Sequence, residues 1–206
     1  LSNTPSGAAP TVGHGLNAAP HLIISISRSY NGSDSGNWYV NHSYDTSKWF
    51  RLNLPNAAQS ISSSGGGTTA DPTSSVFSTY YINGSGVANN NYIAYCFAPV
   101  EGYSAFGSYN GTGFSDNRSP FLYLGFKPAF VMIKSTTLAH NWVIFDSTRG
   151  AYNVVDEILW SNKDIGENTI DQGNTTTGDL EFEILSNGIK LRTATRTRKK
   201  MDLKTQ

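Results

Sequence analysis

The sequence predicts an all-β protein made of two duplicated antiparallel β-sandwich modules, with lectin-like or jelly-roll-like topology. Three observations predict it. First, one order of signals occurs twice. Pro20 to Ile26 (PHLIISI) and Pro128 to Lys134 (PAFVMIK) each follow a Gly-Leu or Gly-Phe step, Gly15-Leu16 and Gly125-Phe126. Each also precedes an Asn-Trp pair, Asn37-Trp38 and Asn141-Trp142. A turn, a buried strand, a loop and a Trp-led strand recurring about a hundred residues later read as two modules, and that period is too long for a solenoid. Second, charged residues make up only 15% of the chain, against roughly 25% in an ordinary domain. Aromatics reach 12% and glycines number 20, a mixture that suits many short strands joined by Gly, Asn and Ser turns and not a disordered chain. Third, the apolar runs are short, alternating and bounded by turn residues.

In order, residues 1–13 form an N-terminal arm or first edge strand, residues 14–109 the first module, 110–192 the second, and 193–206 a basic tail. Leu22 to Ile26 is a β-prone run entered through a proline. Tyr30 to Gly36 is a polar loop, Trp38 to Val40 starts a second strand, and Trp49 to Leu54 alternates until Pro55 stops it. Residues 56–75 are rich in Ser, Gly, Thr and Ala and read as a long loop. Val76 to Ile82 and Asn91 to Phe97 are strands around an Asn83-Gly84-Ser85-Gly86 turn. Residues 98–120 form an extended connector, because glycines and serines break the spacing of Tyr103, Phe106 and Tyr109. The second copy supplies strands at Phe121 to Leu124, Phe130 to Lys134, Trp142 to Asp146, Ile158 to Ser161, Leu180 to Leu185 and Ile189 to Arg192. Asn187-Gly188 marks a hairpin, and one helical turn is expected at Val154 to Trp160.

Formal net charge is zero, but six basic residues (Arg192, Arg196, Arg198, Lys199, Lys200, Lys204) and one acid (Asp202) fall within residues 191–206. The body is therefore mildly acidic and lacks the basic face of a duplex binder, so no nucleic-acid partner is expected. The tail reads as a solvated terminus or as a grip on an acidic neighbour. Cys96 is the single cysteine. It sits in an apolar run and reads as a small packing residue, with no intrachain disulfide. No stretch approaches the ~18 apolar residues of a membrane span, so no membrane insertion is expected. The chain opens on Leu1, which leaves a processed chain and a fragment of a longer protein both open.

The chemistry-bearing residues do not converge. His14, His21, His42 and His140 have no metal-like spacing, and no G-x-S-x-G elbow is present. His14 between two glycines reads as a turn residue. Glu181 and Glu183 share one face of a strand, which suits a solvated face better than a glycosidase pair across a cleft. Asp34, Asp45, Asp71 and Asp116 lie in loops without a calcium-loop pattern. No cofactor, metal or catalytic residue is assigned. Trp38 and Trp142 occupy matching positions and are expected to anchor two matching cores. The unmatched loop aromatics Tyr30, Tyr44, Tyr80, Tyr81 and Phe114 are the candidate ligand contacts, because an aromatic face stacks on the apolar face of a sugar ring.

The run Tyr92-Ile-Ala-Tyr-Cys-Phe-Ala-Pro-Val-Glu-Gly-Tyr-Ser-Ala-Phe-Gly-Ser-Tyr-Asn-Gly-Thr-Gly resembles a signature of virion-associated, tail-fibre-like structural proteins of marine bacteriophages. Phe121-Leu-Tyr-Leu-Gly-Phe-Lys-Pro-Ala-Phe-Val-Met-Ile-Lys is similar to a second signature of that family, and Gly13-His14-Gly15-Leu16 and Leu185-Ser186-Asn187-Gly188 fit its pattern. The resemblance covers residues 10–193. It implies a non-enzymatic protein on the outside of a virion, acting as tail fibre, appendage or surface decoration. Such a protein would assemble with sister subunits or other virion proteins and bind host-surface glycans. An architectural filament protein with no ligand and a polysaccharide depolymerase are the alternatives. The family pattern also implies a final strand like Asn91 to Phe97, where this chain reads TATRTRKKMDLKTQ. The second module is therefore expected to lack its closing strand, which another chain or the first module would supply. A shifted reading frame or an artificial terminus would produce the same departure.

Overall fold

A computed structural model describes residues 11–28, 36–61, 71–78, 91–111, 120–149, 152–155, 157–169 and 180–193. Among these the protein is all-β, with no helix and with antiparallel pairing throughout. The chain divides into two compact units. Unit 1 takes residues 1–100, 104–107 and 135–139, and unit 2 takes 101–103, 108–134 and 140–206.

Unit 1 holds β1 (Thr11–Gly13), β2 (Leu22–Ser27), β3 (Trp38–His42), β4 (Lys48–Arg51), β5 (Gln59–Ser60), β6 (Val76–Ser78) and β7 (Tyr92–Phe97). A five-stranded sheet runs β5-β4-β3-β2-β7, and β1 pairs with β6. Period-two alternation sends Ile23 to the face where Tyr92, Ala94 and Cys96 stand, and Phe77 from β6 closes over them. Ile23 and Phe77 are both about 2% exposed, so burial of their side chains stabilises this layer by roughly 1.5–3 kcal/mol each.

Unit 2 holds β8 (Phe121–Tyr123), β9 (Phe130–Ile133), β10 (Val143–Asp146), β11 (Glu157–Ile158), β12 (Asn168–Thr169), β13 (Leu180–Leu185) and β14 (Gly188–Thr193). The ladders are β13-β14-β8, β10-β9 and β11-β12, with an Ile144–Leu159 bridge joining β10 to the segment after β11. Val143 and Phe145 meet Val155, Ile158, Trp160, Ile184, Ile189 and Leu191 in one core, with Val131 and Ile133 packed against it.

The pairings of the two units correspond. Val12 faces Phe77 in unit 1, and Leu122 faces Ile189 in unit 2. Val40 faces Phe50, and Ile144 bridges Leu159. Trp49 faces Gln59, and Ile158 faces Asn168. The loops repeat as well. Ser43 N–H donates to His21 O at 2.9 Å, as Ser147 N–H does to Ala129 O at 3.0 Å. His14 N–H donates to Ser75 O at 3.2 Å, as Leu124 N–H does to Asn187 O at 2.9 Å. Gly15 and Gly125 both adopt positive φ, 70° and 79°, which a residue without Cβ adopts freely. Among the described residues, β7 has no counterpart in unit 2 and β13 has none in unit 1.

Several elements differ from expectation. The described residues of 154–160 form no helical turn. Val155, Ile158 and Trp160 are buried, while Leu159 exchanges backbone bonds with Ile144, so tertiary pairing overrides a weak local preference. β4 stops at Arg51 instead of Leu54, because Asn53 turns its amide onto Trp38. The arm ends in a paired strand, β1, and β14 runs to Thr193, the first residue of the predicted tail. The turn of the last hairpin is Ser186-Asn187, and Gly188 is already paired with Leu185. Trp142 is buried, but Trp38 is only half-buried and stacks on Tyr95 at 6.4 Å between centroids.

Candidate functional site

The polar side chains of the described residues mostly close strands and turns. In unit 1, Asn53 Oδ1 accepts from Trp38 N–H at 3.0 Å and Asn53 Nδ2 donates to Asn37 Oδ1 at 3.2 Å. In unit 2, Asn162 Oδ1 accepts from Trp142 N–H at 2.9 Å and Asn162 Nδ2 donates to Asn141 Oδ1 at 2.8 Å. The same two-bond clamp thus ties Trp38, which opens β3, and Trp142, just before β10, to the turn that follows the segment paired beside it. Sequence reading singled out the Asn-Trp pairs and missed the third member. The signal was an asparagine three residues after a paired apolar residue, at Phe50/Asn53 and Leu159/Asn162.

Two of the histidines, His14 and His42, are engaged locally. His14 Nδ1 accepts from Leu16 N–H at 3.2 Å, so Nε2 carries the proton and donates to Thr73 O at 3.1 Å. With both ring nitrogens bonded, His14 has the turn role expected of it. His42 Nδ1 accepts from Tyr44 N–H at 3.0 Å, and Asp146 Oδ1, at the matching strand end, accepts from Thr148 N–H at 3.0 Å. Burial, and after it the neighbouring His21 ring, push the His42 pKa below its ordinary value of 6.5. His21 and His42 both pack on Phe106, at 6.3 and 6.4 Å between ring centroids.

A folded state that holds His42 neutral binds a proton less readily than the unfolded chain. Its contribution to stability is therefore full above the unfolded value, about 6.5, and is lost as pH falls from there through the lowered folded-state pKa. Urea midpoints measured from about pH 7.5 down to about pH 5 should drop in this window, and His42→Gln should flatten the drop. An unchanged pH profile in the variant would assign the drop to other groups.

An open groove of about 500 Å³ lies in unit 1, lined by Val12, Gly13, His14, Phe77, Tyr92, Ala94 and Cys96. Burial pushes the Cys96 thiol pKa up, which disfavours the reactive thiolate. Cys96 packs against the Ile23–Phe77 cluster, matching its reading as a packing residue. Residues 79–90, which link β6 to β7 in the sequence, lie outside the described residues.

Two of the acids, Asp45 and Asp146, are likewise committed. Asp45 Oδ1 accepts from the Ser47 N–H at 3.0 Å and from its hydroxyl at 2.5 Å. Asp146 binds the backbone N–H groups of Thr148 and Arg149 and the Arg149 guanidinium. The Arg149 backbone N–H is the largest cause that holds its carboxyl below the usual range. Strand register sets Glu181 opposite Arg192 and Glu183 opposite Lys190. Among the described residues no three His, Cys, Asp or Glu side chains cluster in a way that would hold a metal ion.

Of the predicted ligand-contact aromatics, Tyr30, Tyr80, Tyr81 and Phe114 lie outside the described residues. Tyr44 is half-buried between the His42 ring at 5.7 Å and the Phe50 ring at 6.1 Å, and burial raises its pKa. The aromatic side chains that stand most open among the described residues are others: Tyr103 at 80%, Tyr123 at 72% and Tyr152 at 87% exposure, all in unit 2. No helix among the described residues is long and apolar enough to cross a membrane.

No curated protein and no solved structure matches this chain. A family model, described as a domain of unknown function (DUF7483), matches residues 1–201. The chain therefore belongs to the DUF7483 family.

Proposed function

We propose that this protein is a non-enzymatic structural component on the outside of a phage particle, a tail fibre, appendage or surface decoration. In this reading it is a tandem pair of antiparallel β-sandwich modules descended from one duplicated ancestor. It assembles with sister subunits or other virion proteins and binds host-surface glycans through aromatic and amide side chains. The observation that carries the reading is the recurrence of pairings and clamps: Asn53 and Asn162, and His14, His42 and Asp146, serve turns and strand ends. What is left open to solvent includes uncharged aromatic surface at Tyr103, Tyr123 and Tyr152, suited to stacking on sugar rings. Single sites of this kind bind weakly, and many copies on one particle turn weak binding into avidity. The resemblance of the Tyr92 and Phe121 segments to virion proteins supports the location.

A glycan array probed with the full chain tests the reading. Specific binding should appear and should weaken by about tenfold or more, roughly 1.4 kcal/mol, in the Tyr80→Ala/Tyr81→Ala and Tyr152→Ala variants. Absence of any glycan binding, together with stable filaments or oligomers, would favour the second reading, an architectural protein with no ligand. That reading draws on the exposed apolar side chains of Phe121 and Phe130 at strand positions. Release of oligosaccharides from host capsule would instead favour a depolymerase and overturn both.

A further inference from the structure

In unit 1, β2 is an interior strand with β3 on one side and β7 on the other. In unit 2, β9 stands in the place of β2, and the Ser147–Ala129 bond repeats the Ser43–His21 bond at the strand end. β9 pairs with β10 as β2 pairs with β3. Among the described residues, no strand lies along its other edge.

The direction of the ladder shows which groups that edge presents. Ile144 and Leu159 exchange both backbone bonds, at 2.8 and 3.0 Å. Ile144 therefore faces Leu159, just after β11, and its neighbours Val143 and Phe145 face β9, where they pair with Ile133 and Val131. Alternate residues of an antiparallel strand send N–H and C=O to opposite sides. Phe130 and Met132 thus point their backbone groups away from β10. The matching residues of β2 are Leu22 and Ile24, which face Phe97 and Tyr95 of β7. Over Phe-Val-Met-Ile, β9 carries no charge and no proline, the usual devices that protect an open edge. Phe130 is 59% exposed.

We propose that the outer edge of β9, at Phe130–Ile133, is a strand-acceptor site that takes an extended, uncharged segment of the β7 type from a partner polypeptide. β7 reads Tyr-Ile-Ala-Tyr-Cys-Phe. Its residues Ile93, Tyr95 and Phe97 are the ones opposite Ile26, Ile24 and Leu22. On β9 an aromatic or β-branched side chain of the incoming strand meets Phe130, a cross-strand pair of the kind that stabilises sheets. Main-chain bonds supply the affinity and side-chain alternation supplies the choice of partner. The site rests on strand registers alone, whether or not the protein sits on a particle or binds a glycan.

The test uses the full chain and a fluorescent peptide with the sequence of residues 91–100. The peptide should bind saturably. N-methylation at Ile93 and Tyr95, which blocks the edge facing β9, should weaken it by about tenfold or more. N-methylation at Ala94 and Cys96, on the opposite edge, should leave it within about twofold. A photo-crosslinker at the Tyr95 position should label residues 130–133. No saturable binding, equal binding of both methylated peptides, or crosslinks to residues 22–27 by strand exchange in unit 1 would each overturn the proposal. So would concentration-dependent dimers of the peptide-free chain joined through β9, since a second β9 would then be the occupant.

Discussion

Replacing Gly188 with alanine should destabilise unit 2 by about 2–3 kcal/mol, the upper part of the range for overpacking. Gly188 opens β14, the central strand of its ladder, with Leu185 opposite on β13 and Tyr123 opposite on β8. A Cβ built there falls inside the contact radius of the Leu122 carbonyl oxygen, and the Phe121 ring follows at 3.1 Å. The first obstacle is backbone, so no rotamer change relieves it. β14 cannot move away, because it is bonded on both sides and its next residues, Ile189 and Leu191, are locked in the core at 3% exposure each. The glycine is needed for close approach and not for a special backbone angle, since its φ is not positive.

The matching pair in unit 1 is a control. There the glycine stands on the other strand, Gly13 opposite Val76, and a Cβ at Gly13 would meet only the Ser75 carbonyl at 3.8 Å. Gly13→Ala should therefore change stability by less than about 0.5 kcal/mol. Urea unfolding followed by tryptophan fluorescence, with amide hydrogen exchange to assign the loss to β13, β14 and β8, measures both. Equal, small effects at the two positions would mean that β8 and β14 do not approach as closely as described.

The contrast between these glycines shows how far the sequence could be read. Leu22 to Ile26 and Phe130 to Lys134 were legible because a buried proline, a β-branched run and a polar loop agree at each place. Asn187-Gly188 was legible as a hairpin, but the glycine turned out to serve the neighbouring strand and not the turn. β5 and β12 have two residues each, Gln59–Ser60 and Asn168–Thr169. Neither carries a periodic pattern, and only their register against β4 and β11 makes them strands. The error at Val154 to Trp160 has the same origin, because the bridge to Ile144 is a long-range contact. Of the predicted stacking aromatics, Tyr44 is tied up between His42 and Phe50, whereas Tyr152, in an unremarkable stretch, is among the most exposed side chains described. Exposure depends on what the rest of the fold brings near a ring, and local sequence carries little of that.

Removing the third member of the unit 2 clamp should have the second large effect. Asn162→Ala deletes two bonds at once, the one from the Trp142 N–H and the one to the Asn141 Oδ1. Trp142 is 4% exposed, so water reaches its backbone poorly, and the loss should be about 1–3 kcal/mol. Asn53→Ala in unit 1 should cost less, since Trp38 is half-buried and water can take over part of the bond. Asn162→Asp separates the two bonds. Its carboxylate still accepts from Trp142 N–H, but it cannot donate and faces the Asn141 oxygen with a second acceptor. At neutral pH it should therefore be nearly as destabilised as the alanine variant. Protonation of the carboxyl restores a donor, so the Asn162→Asp variant should regain stability relative to wild type as pH falls toward about 4. The Asn141→Ala/Asn162→Ala double variant should lose less than the sum of the singles, because each alone orphans the other. An Asn162→Asp variant as stable as wild type at neutral pH would show that the amide donation contributes nothing, and that the clamp is held by the Trp142 bond alone.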